Sequence, residues 1–283
     1  MLSPERALTA ATPATTLTLS RQTAATYALA AGAARDAENV ADVRLAAGNP
    51  LPVLPALASV LMAGPSPLFD LGVDLRKILH GEQRLVLHRP LEADRDYLIS
   101  ERVTGLFDKG AGKDAIALIE KSIVERNGEA PVCTALSTAI LRGEGGFGGT
   151  REGAPEPHAL PDRAPDVVLE CQTRPEQAAL FSLLGDTNPL HLDIEAARRV
   201  GFDRPILHGL CTYAVACHAL LGALLDHDPA RLTAFDARFA APVYPGDLLL
   251  LDAWIDGDAI SFRMRCPERD SIVLNNGRLL RAQ

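Results

Sequence analysis

Residues Tyr213–Asp226 read YAVACHALLGALLD. This run is apolar nearly all round, and a helix without a polar face belongs inside a protein. Four strand candidates follow it: LTAFDARFAAPV, LLLLDAWID, AISFRMRC and SIVLNNGRLL, parted by Pro-Gly, Asp-Gly and Pro-Glu punctuation. One buried helix lying against an antiparallel meander is an α+β unit. A fully apolar helix wrapped by a curved sheet matches the hot-dog arrangement.

Upstream, DYLISERVTGLFD, DAIALIEKSIVER and PVCTALSTAILRG form a similar meander. Between the two sets lies RGEGGFGGTREGAPEPHALPDRAPD, rich in glycine, proline and charge and without apolar periodicity, which is a linker signature. Repetition across that linker follows two markers. Tyr27 leads to Gly32 as Phe181 leads to Gly185, and Pro90 and Pro242 each precede an acidic turn and a strand-like run. The glycines stand 153 residues apart and the prolines 152. A shared offset predicts a duplicated unit, hence a double hot dog in which each half carries a long buried helix. The expected boundaries are 1–141 for the first unit, 142–166 for the linker and 167–283 for the second.

The 283 residues are 47% hydrophobic, enough to bury a sizeable core, and carry a net charge of −8. That balance excludes the basic face of a nucleic-acid binder. No apolar run reaches the ~20 residues of a membrane helix. The start, MLSPERALTAATPATTLTLSRQ, lacks the basic cluster and apolar core of a secretory signal, and Arg-Ala-Gln is no C-terminal address. Five scattered cysteines without a CxxC pair read as reduced core thiols, so a cytoplasmic protein is expected.

The chemistry concentrates in GDTNPLHLDIEAARRVGFDRPILHG, Gly185–Gly209. Asn188-Pro189 is a helix-start signal, and HLDIEAARRVGF reads as a short helix ended at Gly201. A proline-stiffened turn there can aim Asp186 and His191 at one water, an acid/base arrangement. The Asn188 amide, donor and acceptor at once, can orient that water or the loop. PILHG leads into the buried helix, so Gly209 falls at its N-terminus, where free N–H groups can polarise a carbonyl. Taken singly, Asp186 fits a cap and His191 a hydrogen-bonded turn residue. His208 reads as structural, and His218 as a satisfied core residue.

GDTNPLHLD followed by GFDRPILHGLCT closely resembles the hydratase-2 motif of the MaoC-like (R)-specific enoyl-CoA hydratases. LHGEQ (79–83), VTGLFDKGAGK (103–113), GEGGFGG (143–149) and ARFAAPVYPGD (237–247) resemble segments of the hydratase-2 domain of peroxisomal multifunctional enzyme type 2. The likeness runs from about Tyr27 onward, with residues 1–20 and 33–75 matching poorly. It implies that Asp186 and His191 are the acid/base pair supported by Asn188, and that Gly209 polarises the thioester. It also implies that His80, Gly81, Lys109, Thr187, Pro189, Leu190 and Phe239 line the CoA-ester site. The front half would be a degenerate acyl- and CoA-binding unit. Consistent with this, AARDAEN follows Gly32 with no Asn-Pro-x-His.

The expected reaction is reversible syn hydration of trans-2-enoyl-CoA to (3R)-3-hydroxyacyl-CoA, with no metal and no cofactor besides the CoA of the substrate. A homodimer is plausible on hot-dog pairing habits. The alternatives are a hot-dog thioesterase and a non-catalytic acyl-CoA or acyl-carrier binding module. The proline-broken run LPVLPALASVLMAGPSPLFDLG is expected either to line the acyl tunnel or to cover the missing helix of the front half.

Overall fold

A computed structural model describes residues 2–62, 64–74, 77–127 and 130–282. The helices are α1 (Pro4–Leu8), α2 (Arg21–Ala31), α3 (Val40–Ala47), α4 (Gln177–Ser182), α5 (Ile194–Arg199) and α6 (Gly209–Leu224). The strands are β1 (Thr15–Leu19), β2 (Ile78–Leu87), β3 (Arg95–Asp108), β4 (Ala115–Glu125), β5 (Pro131–Leu141), β6 (Val167–Gln172), β7 (Leu232–Phe239), β8 (Leu248–Asp256), β9 (Ala259–Cys266) and β10 (Ser271–Arg281).

All ten strands join one sheet, ordered β1-β3-β4-β5-β2-β7-β10-β9-β8-β6. Exchanging β1–β5 for β6–β10 in sequence order returns the same list reversed, so the duplication read from the offsets is written into the topology. The halves meet where β2 pairs antiparallel with β7, from Glu82↔Arg238 to Val86↔Ala234. Gly32 caps α2 and Gly185 closes the turn just beyond α4, with nearly identical φ of 108° and 109°, a left-handed conformation that suits glycine. Their partners Tyr27 and Phe181 are both buried and face each other, ring centroids 6.0 Å apart. The connector 142–166 contains no helix or strand. This is a double hot dog, α+β in class.

The long apolar run becomes α6, buried along most of its length and locked to β7 where the Tyr213 hydroxyl donates to the Phe235 carbonyl at 2.6 Å. The expectation of such a helix in each half holds only for the back. In front, the longest helix is the 11-residue α2. At the place of a core helix the chain carries Pro50, Pro52 and Pro55 and makes only a five-residue 3-10 turn, Pro55–Ser59. Prolines remove the N–H groups a helix needs and clash with the preceding turn. This segment packs against α6 with Pro55, Ala56, Leu57 and Ala58 buried in the common core.

Three strands escaped the sequence reading: β1 and β6 at the sheet edges and β2 at its centre. Thr15–Leu19 lies in the alanine- and threonine-rich start, yet pairs with β3 from Thr15↔Ile99 to Leu19↔Arg95. Its counterpart β6 closes the other edge on β8. All five cysteines are free and buried, and burial pushes the Cys133, Cys171 and Cys217 thiols up to about 12. No helix of the described residues is long and apolar enough to cross a membrane.

Candidate active site

Asn188 and Pro189 start a helix as expected, but a short one. The 3-10 turn Pro189–His191 is capped by the Asn188 side chain, which accepts the Leu190 N–H at 3.1 Å. The Asn188 N–H donates in turn to Asp186 Oδ1 at 3.1 Å. Of the two roles open to Asn188, shaping the loop is therefore the one its contacts perform. The single helix expected over 191–202 is two pieces, because Asp193 accepts the N–H groups of Glu195 and Ala196 and starts α5 afresh. His191 thus closes the first piece rather than opening a helix.

His191 Nδ1 lies 2.9 Å from the Ile206 carbonyl. A carbonyl only accepts, so Nδ1 carries the proton and Nε2 keeps its lone pair in the neutral ring. Burial pushes the His191 pKa below the usual imidazole value, against the Ile206 bond and the Asp186 carboxylate, both of which raise it. Asp186, His191 and His208 each bring one polar side-chain atom within 4.8 Å of the others'. Asp186 and His191 therefore converge, as their spacing predicted.

His208 carries more of this geometry than its sequence position suggested. Its ring stacks on His191 with centroids 3.8 Å apart and packs on Phe181 at 4.9 Å. Its Nε2 donates to the Asp186 carbonyl in a long 3.4 Å contact. Burial, then the neighbouring His191, drives its pKa down to about 4. A neutral ring wedged there holds the carboxylate loop and the imidazole together.

Gly209 is the first residue of α6 and is exposed. The first amides of a helix have no intrahelical acceptor. A Cβ at Gly209 would stand 3.2 Å from the Phe239 ring, so a side chain here would crowd the amide's approach. Phe239 in turn packs on His80, ring centroids 4.7 Å apart. His80 comes from β2, where a bulge at Gly81 interrupts the register against β5. Burial lowers the His80 pKa to about 4, and its Nε2 has no hydrogen-bond partner.

Two cavities flank His80 and Gly81. One, of about 240 Å³, is lined mainly by apolar groups such as Ile78, Ile119 and Leu210, but also by His80, Glu101 and Lys121, with Ser59 and Met62 from the proline-broken segment. That segment therefore fills the helix slot with residues 55–58 and borders a cavity beyond. The other, of about 180 Å³, is lined by Gly81, Lys109, Arg151 and Arg238 among others. Lys109 is fixed by a feature the sequence reading missed. The Asp108 carboxylate accepts the N–H groups of Gly110, Gly146, Gly148 and Gly149 at 2.7–3.2 Å, tying both glycine-rich loops together. Those bonds hold its pKa below the usual carboxylate value. Thr187 and Pro189 are exposed and Leu190 half-buried on the same loop as Asp186. Arg151 and Arg238 had no local motif to mark them.

Two family models match the chain. Residues 18–143 match the MFE-2 hydratase 2 N-terminal domain and residues 157–276 the MaoC like domain. The first match begins before Tyr27 and crosses 33–75, so the family likeness reaches further than the quoted segments suggested. Enoyl-CoA hydratase ChsH3 of Mycobacterium tuberculosis is 37% identical over 257 residues, covering 89% of this chain and 88% of that one. A MaoC-like dehydratase from Phytophthora capsici superposes with a TM-score of 0.87 at 27% identity, over 100% of this chain and 99% of the other. Full-length peroxisomal multifunctional enzyme type 2 from Drosophila melanogaster gives a TM-score of 0.81 at 30% identity, over 95% of this chain and 48% of that one. The chain thus spans about half the fly protein. With both halves matched and the loop of Asp186 and His191 set against the start of α6, the chain belongs to the MaoC-like hydratase family.

Proposed function

We propose that the chain catalyses the reversible syn hydration of a trans-2-enoyl-CoA to the (3R)-3-hydroxyacyl-CoA. Membership of the family makes it a hydro-lyase. The observation that carries the finer reading is the convergence of Asp186 and His191, with His191 Nε2 left free by the Nδ1 bond to Ile206.

In this reading the Gly209 N–H donates a hydrogen bond to the thioester oxygen, stabilises its growing negative charge and makes C3 electrophilic. Water held between Asp186 and the neutral His191 gives up a proton as its oxygen bonds C3. The pair returns that proton to C2 on the same face, so one water is consumed and no charge is left over. The reaction is redox-neutral and draws on no nicotinamide or flavin. Lys109, Arg151 and Arg238 are placed to meet CoA phosphates, where cations and guanidinium forks pair with phosphate oxygens. The cavity beside Leu210 is placed for the acyl chain.

Purified chain with crotonyl-CoA tests this. Expected are loss of the enoyl absorbance, no free thiol, and a product of (3R) configuration. Thiol release would instead make the chain a thioesterase, a (3S) product would overturn the stereochemistry, and no turnover of any enoyl thioester would leave a binding module.

A further inference from the structure

A second constellation lies outside the site just described and uses residues from both halves. Asp42 of α3 is buried, and its Oδ1 stands 2.5 Å from His218 Nε2 and 3.7 Å from His227 Nδ1. The three residues each offer a donor atom within 4.8 Å of the others'. We infer that Asp42, His218 and His227 form a binding site for a divalent transition-metal ion of the zinc type, clasping the front half to the back.

The arrangement is built rather than incidental. Asp42 Oδ2 is spent on the Ala34 N–H at 2.8 Å, which orients the carboxylate so that Oδ1 faces both imidazoles. His218 projects from α6 toward it. His227 reaches it through a turn in which Asp226 and His227 both adopt left-handed φ, 55° and 56°. Its ring lies over Gly222, where a Cβ would approach His227 Cε1 to 2.8 Å, so only glycine leaves room. His227 Nδ1 is buried without a hydrogen-bond partner, and 3.7 Å to Asp42 Oδ1 is too long for a direct bond. A buried nitrogen aimed at a carboxylate across such a gap is satisfied by an ion between them.

The donor set and spacing suit zinc. Two imidazoles and a carboxylate bind Zn²⁺ at about 2.0–2.2 Å, which puts tetrahedral ligand atoms about 3.4 Å apart. The observed 2.5 and 3.7 Å straddle that value, so side-chain shifts of under about an ångström close the site. A cavity of about 250 Å³ lined by Gly32, Arg35 and Cys171 reaches one of the three ligands, His218. His218 lies nine residues along α6 from Gly209, about 13 Å at 1.5 Å per residue, so the ion is remote from the thioester chemistry.

The experiment titrates chelator-treated, untagged full-length chain with Zn²⁺ by calorimetry and with Co²⁺ by visible absorbance. Expected are one equivalent bound per chain, tetrahedral Co²⁺ bands, and at least tenfold weaker binding in Asp42→Asn and His227→Ala. Gly222→Ala keeps every ligand but displaces the His227 ring, and is expected to weaken binding as well; it serves if a ligand variant misfolds. His191→Ala, which dismantles the other Asp-His-His group, should bind as the parent does. Absence of binding, or binding that His191→Ala abolishes and His227→Ala retains, overturns the inference.

Discussion

The two halves share a strand order and a left-handed glycine at matching positions, Gly32 and Gly185, yet they part at one place. In the back half a 16-residue helix begins at Gly209 and offers its amide at the mouth of the loop that holds Asp186 and His191. In the front half the residue 153 positions earlier is Ala56, inside a five-residue turn pinned by prolines. One half therefore keeps the helix start and the loop to which the proposed reaction assigns polarisation and acid/base work. The other gives up the helix, and the segment that replaces it borders the cavity where an acyl chain would lie. A duplicated fold can divide the labour in this way because the β2–β7 pairing keeps the sheet continuous across the halves whichever of them keeps its helix.

The largest expected effect tests that division directly. Asp186→Ala and His191→Ala should each lower turnover about 10²–10⁴-fold, the usual worth of a positioned acid or base. Asp36→Ala and Glu38→Ala, exposed in the corresponding front loop, should leave kcat and KM at parental values in the same assay. Equal losses in both loops would erase the distinction. His191 works as the neutral base in this scheme, and its pKa is depressed by burial. Activity should therefore be intact near neutrality and fall as pH drops through a midpoint below about 6.5. An acid limb centred above that value would mean that the ring's pKa is raised rather than depressed, and activity that fell as pH rose through this range would mean that the protonated ring is the active form.

The second prediction concerns stability. Leu57, in the proline-broken front segment, and Leu221, on α6, are both fully buried. Leu57→Ala and Leu221→Ala should each cost about 2–5 kcal/mol, read from denaturant midpoints, because either leaves a cavity in the shared core. A negligible cost for Leu57→Ala alone would show the front segment to be loose packing rather than a substitute for the lost helix.

How much of this was legible in the sequence follows from where the signals lie. The all-apolar run of α6 and seven of the strands are long and bounded by turn residues, so periodicity and punctuation reveal them. β1 and β6 are edge strands of only five and six residues, too short for a clear period, and β2 carries His80, Gly81, Glu82, Gln83 and Arg84 in its middle, which hides its strand character. The same split runs through the site. Asp186, Asn188, His191 and Gly209 sit in one contiguous stretch whose turn chemistry is local. The Phe239 ring against Gly209, the His208 stack and the Asp108 knot of glycine amides arise only when distant segments meet. Residue types alone carry no mark of those contacts. Proline placement did mark the front segment as no ordinary helix: residues 55–58 pack in the helix slot, and Ser59 and Met62 border a cavity beyond it.

A smaller effect separates polarisation from proton transfer. Gly209→Ala keeps the amide but sets a Cβ 3.2 Å from Phe239 at the approach to it. Turnover should fall on the order of tenfold, less than the 10²–10³ lost when an oxyanion donor is removed outright. Gly209→Ala with Phe239→Leu should recover part of the loss, because the smaller side chain yields the space. Failure of that rescue would place the penalty in the backbone of α6 rather than in the crowded ring.

The smallest expected effect reads the front half's remaining contribution. Lys109 borders the groove with Gly81, Arg151 and Arg238. As a partly exposed point charge, it should add about a kilocalorie per mole to binding of a CoA phosphate, so Lys109→Ala should raise KM about three- to tenfold with kcat unchanged. The effect should shrink as ionic strength rises, because exposed charges are screened. It should vanish with a pantetheine thioester, which carries the same acyl group without the nucleotide phosphates. A loss that persisted on the truncated ester would mean that Lys109 acts through the glycine loops tied to Asp108. The front half would then contribute to the shape of the site rather than to recognition of the carrier.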